Sequence, residues 1–223
     1  MFQGFDDTTV DFLWGIRLNN ERPWFEAHKQ EYLDHLYQPM MKALGDELYD
    51  HVAPQLKGEP LLCKVSRIYR DARRLHGRGP YKDHLWISIQ KPAGAWEEAP
   101  CFWFELSPDG WGYGMGCYSV KPATMARLRR QLAERPEEME KLMRRLARQQ
   151  EFTLSGETYR KPRGQAPSEL LAPWYSLKGF SLSHEEPLTE ALFSRDILER
   201  VEKGFDFLLP YYRYFSALCA EGE

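Results

Sequence analysis

Apolar residues recur at helical spacing through the first 60 positions. Val10, Phe12, Leu13 and Ile16 form one stripe, which Thr8 or Thr9 can cap and which ends near Asn19-Asn20. Asn20 can then cap a second helix with Pro23 in its first turn, carrying Trp24, Phe25, His28, Tyr32 and Leu36 on a core-facing stripe. Pro39 interrupts that pattern, and a third helix is expected through Met40, Leu44, Leu48 and Val52, followed by a loop from Pro54 to Pro60. The period then shortens to two. Strands are expected over 61–69, 81–90, 101–106 and 111–118, rich in β-branched and aromatic residues. In the second of these Leu85, Ile87 and Ile89 share one face, and Lys82, His84, Trp86 and Ser88 the other. Ser107-Pro108-Asp109-Gly110 turns the third strand into the fourth as an antiparallel hairpin.

Helical spacing returns after position 121. Pro122 and Pro136 stand where first-turn prolines belong, and Glu137, Glu138 and Glu140 crowd the positive end of the second helix. Met125, Leu128 and Leu132, then Met139, Leu142, Met143 and Leu146, supply apolar faces, with the arginines of both helices largely elsewhere. Trp174 to Leu182 predicts a further strand. The end is helical from about Thr189, with Pro210 kinking or dividing the last helix. Helices, then strands, then helices make an α+β fold. The expected form is a single domain over 1–223, with a central, mainly antiparallel sheet of at least four strands packed by N-terminal, middle and C-terminal helices. Its parts are a helical acidic part (1–60), the main sheet (61–120), basic helices (121–150), a loop and strand (151–187) and C-terminal helices (188–223).

Composition narrows the class. With 43% hydrophobic, 14% aromatic and 28% charged residues, the chain can bury a large aromatic core and is not of a disordered type. No apolar run approaches the ~20 residues that span a bilayer. The first ten residues carry acids where a signal peptide would be basic, so a cytoplasmic protein without membrane association is expected. Cys63, Cys101, Cys117 and Cys219 stand apart among apolar neighbours, at no zinc-ligand spacing. Buried thiols are the expectation, with no metal site and no cofactor.

Charge changes the picture more. The net −3 conceals a partition: residues 1–60 carry −6, 61–163 carry +8 and 185–223 carry −5. The basic middle is densest at Lys64, Arg67, Arg70, Arg73, Arg74, Arg78 and Lys82, with Asp71 the one acid among them. Arg67 falls in phase with Cys63 and Val65, so it is expected on a face shared with apolar groups. An arginine so placed is either paired with a carboxylate or lines a pocket that receives an anion. Forked donors on Arg67, Arg70 and Arg73, a point charge on Lys82 and a hydroxyl on Tyr81 suit a phosphate or carboxylate. The structural alternative is that Asp71, Glu105 or an N-terminal acid neutralises the arginines within the fold.

Several of these residues are familiar. Phe12-Leu13, Asn19-Asn20, Trp24-Phe25, Lys29 and Tyr32 match a known pattern in order. So do Arg67-Ile68-Tyr69-Arg70-Asp71-Ala72-Arg73, Gly79-Pro80-Tyr81-Lys82, Gly114-Met115-Gly116-Cys117-Tyr118 and Tyr159-Arg160-Lys161-Pro162-Arg163-Gly164. The chain resembles the uncharacterised family known as domain of unknown function 2461. It departs at Arg74-Leu75-His76-Gly77-Arg78, where that family usually has Phe-Ser and then Asp-Lys before Pro-Tyr-Lys. The resemblance implies a soluble α+β domain without assigned activity, and it carries no catalytic residues across.

Gly112, Gly114 and Gly116 alternate within a strand, unlike the strand-to-helix turn of a dinucleotide fingerprint. A bare sheet face admits a helix, the favoured reading, or a ligand. Arg160 and Lys161 form a second basic knot that could supply cations to the same anion if it lies near Arg67 and Lys82. His84 is the one proton shuttle beside the basic cluster; Asp71 or Asp83 could act as a base or bind a metal, although an arginine clamp that holds either ionised is the favoured reading. His28, on the aromatic stripe, reads as a core histidine. The expected function is therefore an anion-recognising pocket on the central sheet, built from Arg67, Arg70, Arg73, Tyr81, Lys82, Tyr118, Arg160 and Lys161. Its ligand would be a phosphorylated or carboxylated small molecule such as a nucleotide. The alternatives are a non-catalytic scaffold with structural arginine–carboxylate pairs, or a nucleic-acid surface using Trp86, Trp103 and Tyr118 for stacking, which the acidic ends disfavour.

Overall fold

Asp6, rather than Thr8 or Thr9, starts the first helix. Its carboxylate accepts the Thr9 N–H at 2.9 Å while the Thr9 hydroxyl accepts the Asp6 N–H at 3.3 Å, a reciprocal cap that begins α1, Asp7–Leu18. The computed structural model describes residues 1–75, 77–92, 99–117 and 119–220. Helix α2, Arg22–Ala27, has Pro23 in its first turn, but its cap position is Glu21 with no side-chain bond; Asn20 is used elsewhere. Pro39 does not end the helical run. Wider, π-type turns over Tyr32–Tyr37 and Pro39–Gly45 lead into α3, Asp46–Val52, and Pro39 opens the second of them, where a missing N–H costs least.

Six strands follow: β1 (Leu62–Val65), β2 (Leu85–Gln90), β3 (Pro100–Ser107), β4 (Gly110–Cys117), β5 (Thr153–Ser155) and β6 (Ser181–Glu186). They form one antiparallel sheet in the order β1-β2-β3-β4-β6-β5. Between them stand α4 (Pro122–Glu134), α5 (Glu137–Leu146) and α6 (Ala172–Ser176), and α7 (Asp196–Ala220) closes the chain. This is an α+β fold. The strand expected over 174–182 is divided, because Pro173 opens α6 with Trp174 and Tyr175 buried on it, and pairing begins at Ser181. Strand β5 spans three residues, too few to show a period in sequence. Pro210 lies inside α7 without dividing it. Burial of Leu208, Tyr211, Tyr212 and Phe215 on that helix outweighs the roughly 3 kcal/mol of an internal proline.

Two compact units divide these elements. The first comprises residues 1–89, 103–113 and 185–204; its core joins Phe12 to Trp24 and Tyr32 and stacks Phe25 on Tyr81 at 4.3 Å. The second comprises 90–102, 114–184 and 205–223, where Phe102 stacks on Tyr212 at 5.0 Å and Phe180 meets Phe215 at 3.9 Å. The glycine alternation in β4 serves the sheet itself. A Cβ on Gly114 would stand 2.2 Å from the Leu182 carbonyl oxygen, and one on Gly116 2.6 Å from that of Phe180. The close neighbour is the chain entering and forming β6, not a helix or a ligand. One helix arginine also departs from expectation: Arg129 is 8% exposed, inside the second unit.

Candidate functional site

The segment from Arg67 to Lys82 returns on itself through backbone bonds. Tyr69 and Tyr81 form an isolated antiparallel bridge, with the Arg70 N–H donating to the Pro80 carbonyl and the Lys82 N–H to that of Ile68, both at 2.7 Å. Asn20 grips Tyr81 with both ends of its amide: Oδ1 accepts the Tyr81 N–H and Nδ2 donates to the Tyr81 carbonyl, each at 2.9 Å. The Arg70 Nε donates to the same carbonyl at 2.7 Å. The Tyr81 ring is buried under Phe25, so the residue anchors the segment by packing.

This closure fixes Lys82. Its ammonium donates to the Arg67 carbonyl and lies 4.2 Å from the centre of the Trp86 ring. Burial first, then the charges of Arg70 and Arg67, push the Lys82 amine down to about 8, against the opposing pull of Glu105. Arg67 itself is exposed, because β1 ends at Val65 and the strand phase that would have turned it toward apolar groups stops there. Arg70 is half-buried, with a terminal nitrogen 3.5 Å from Asp83. Arg73 reaches into solvent and forks onto Asp71 at 2.8 and 3.1 Å, while Asp71 also caps the short turn Ala72–Arg74 through the Arg73 N–H.

Asp83 belongs chiefly to Arg17, whose Nε stands 2.6 Å from it and whose two terminal nitrogens fork onto Asp109 at 2.7 Å. Burial raises the Asp83 carboxyl, but the bonds from Arg17 and His84 outweigh it and hold the group below its ordinary value. The His84 Nδ1 is 3.1 Å from Asp83, and its ring lies 5.8 Å from that of Trp86. Neighbouring this cluster is a cleft of about 360 Å³ lined by Trp103, Glu105, Asp109, Gly110, Gly112 and Glu185. Burial pushes the Glu105 carboxyl up; Glu185 and Asp83 add to that rise, and His84 and Lys82 oppose it. Among the described residues, no group of three or more His, Cys, Asp or Glu side chains could hold a metal ion.

The residues expected to form one site therefore fall into several settings. Arg67, Arg70 and Lys82 are electrostatically coupled. Arg73 is occupied by Asp71, Tyr81 is core, and Tyr118 lies outside the described residues. Arg160 and Lys161 are exposed on a loop of the second unit. His28 is half-buried, stacked on Trp24 at 4.0 Å with Nδ1 on the Trp24 carbonyl. Sequence reasoning missed Arg17 and the amide role of Asn20. A lone arginine in the last turn of a helix and an asparagine at a plausible cap give no warning of partners some sixty to ninety positions away.

The conserved hypothetical protein family DUF2461 matches residues 8–214. The chain belongs to that family. No curated protein matches it. The DUF2461 match takes in both units and nearly all the described elements, including the Asn20–Tyr81 clasp and the Lys82 cluster. Among the described residues, no helix is long and apolar enough to cross a membrane.

Proposed function

We propose that this DUF2461 protein recognises a compact anionic group, a phosphate or carboxylate of a nucleotide or phosphorylated metabolite, at Lys82 with Arg67 and Arg70. The supporting observation is a surplus of fixed positive charge. Lys82 is held between the Arg67 carbonyl and the Trp86 ring, and Arg67 and Arg70 stand close enough to disfavour its charge. Asp83 makes its short bond to Arg17 and only a 3.5 Å approach to Arg70, and Glu105, the acid whose charge favours Lys82, does not outweigh burial and the two arginines. An arriving anion would relieve this repulsion, and forked and point-charge donors are both at hand. The four thiols and the acidic total charge fit a cytoplasmic setting.

Calorimetric titration with inorganic phosphate tests the reading. Binding is expected below pH 8, weakening as the pH rises through about 8 and Lys82 loses its proton. Lys82→Met is expected to remove the component of binding that weakens through pH 8. Absence of binding below pH 8, or a weakening through pH 8 that survives Lys82→Met, overturns the proposal. A scaffold role is the second reading, favoured by the Arg17 fork that ties Asp83 to Asp109 and by the Arg73–Asp71 pair.

A further inference from the structure

The second unit contains a charge that the Lys82 cluster does not explain. Arg129, on α4, is 8% exposed, and its terminal nitrogen donates to the Leu177 carbonyl at 2.5 Å. Its Nε is buried and has no hydrogen-bond partner among the described residues. No carboxylate pairs with it there either. A guanidinium taken out of water without a counter-charge is costly, and native folds tolerate one where something else supplies that charge.

What surrounds Arg129 is more positive charge. The Arg129 Cζ lies 5.6 Å from the centre of the Tyr159 ring, the Arg163 Cζ 4.4 Å and the Lys178 Nζ 5.8 Å. Three cations thus share one aromatic ring, a weak partner even for one of them. Burial and then Arg163 disfavour the charge on Arg129, which the Tyr159 and Tyr175 hydroxyls favour only in part. Lys178 has an acid, Glu157, at 3.2 Å, but that carboxylate is 82% exposed and its pair is a surface one. Arg163 is exposed and has no ion-pair partner among the described residues.

The backbone holds these groups in place. Tyr159 and Arg163 donate their N–H groups to the carbonyls of Ser176 and Tyr175, and Lys178 donates to that of Glu157, each at 2.7 Å. The Tyr175 hydroxyl donates to the Arg129 carbonyl at 3.1 Å, tying α4 to α6 beside the loop. Arg160 and Lys161 add charge to the same loop from the solvent side.

We propose that Arg129, Arg163 and Lys178 around Tyr159 form a second anion cradle, fitted to a phosphate group. Arg129 supplies the buried donor beneath the anion, and Arg163 and Lys178 close on it from solvent. The cradle lies wholly in the second unit and does not depend on Lys82.

Full-length protein carrying ¹⁵N-labelled arginine, titrated with inorganic phosphate against chloride at matched ionic strength, tests this. The Nε–H resonances of Arg129 and Arg163 are expected to shift and saturate with phosphate but not with chloride. Arg163→Gln, at an exposed position, is expected to weaken the response at Arg129 about tenfold, the loss of one charge-assisted bond. Lys82→Met is expected to leave it unchanged, which separates this cradle from the Lys82 site. No saturating shift at Arg129, or an Arg129 response indifferent to Arg163→Gln, overturns the proposal.

Discussion

Lys82 sets the terms at the residue scale. A lysine whose amine falls from 10.5 to about 8 on folding binds its proton less tightly in the native state than in the unfolded chain. Between those two values the unfolded chain holds more protons, so stability rises with pH across that window. Denaturant titrations of the wild type and Lys82→Met at a series of pH values check this. The wild type is expected to gain on the variant from about pH 8 upward, and a constant gap would refute the shift. Stability and anion affinity thus move in opposite directions at one side chain. On the proposed reading, the proton that costs the fold something is the one an anion would need.

At the scale of the element, β4 shows why pattern and cause can separate. The alternation of Gly112, Gly114 and Gly116 is plain in the sequence, as is its consequence of a bare face. What presses on that face is the backbone from Phe180 to Ser183, which sequence spacing gives no means of naming. Gly114→Ala would drive a methyl against the Leu182 carbonyl, which cannot rotate away as a side chain could. We expect a loss of more than about 3 kcal/mol, read by chemical denaturation, whereas a neutral Gly114→Ala would mean that the two strands part easily. The same limit explains the other departures. Helix α1, the central strands and the hairpin at Ser107–Gly110 are written in local periodicity and turn chemistry, and they are where the sequence places them. The fate of Asn20, the exposure of Arg67 and the burial of Arg129 depend on partners far along the chain. The cations of the Lys82 cluster were legible as a set. Which of them share a site, and that Arg17 takes Asp83 and Asp109, was not.

For the whole molecule, the small net charge gives no hint of two separate concentrations of cations, one on each compact unit. Strands β3, β4 and β6 and helix α7 each begin in one unit and end in the other, so neither unit can lose its structure without shortening elements of its companion. Equilibrium unfolding is therefore expected to be a single transition. Fluorescence weighted to the first unit by Trp14, Trp24, Trp86, Trp103 and Trp111 should coincide with far-ultraviolet circular dichroism from the whole chain; two separated midpoints would show that the units melt independently. The clasp on Tyr81 has a consequence of a different kind. Because Asn20, the Tyr69–Tyr81 bridge and two backbone bonds hold the base of the excursion shut, the position of Lys82 does not depend on what lies between Ala72 and Arg78. Substitutions within 74–78 are therefore expected to leave the cations of the cluster where they are. A hairpin closed at its neck is a place where a lineage can rewrite a loop freely, and where an experimenter can splice in a reporter.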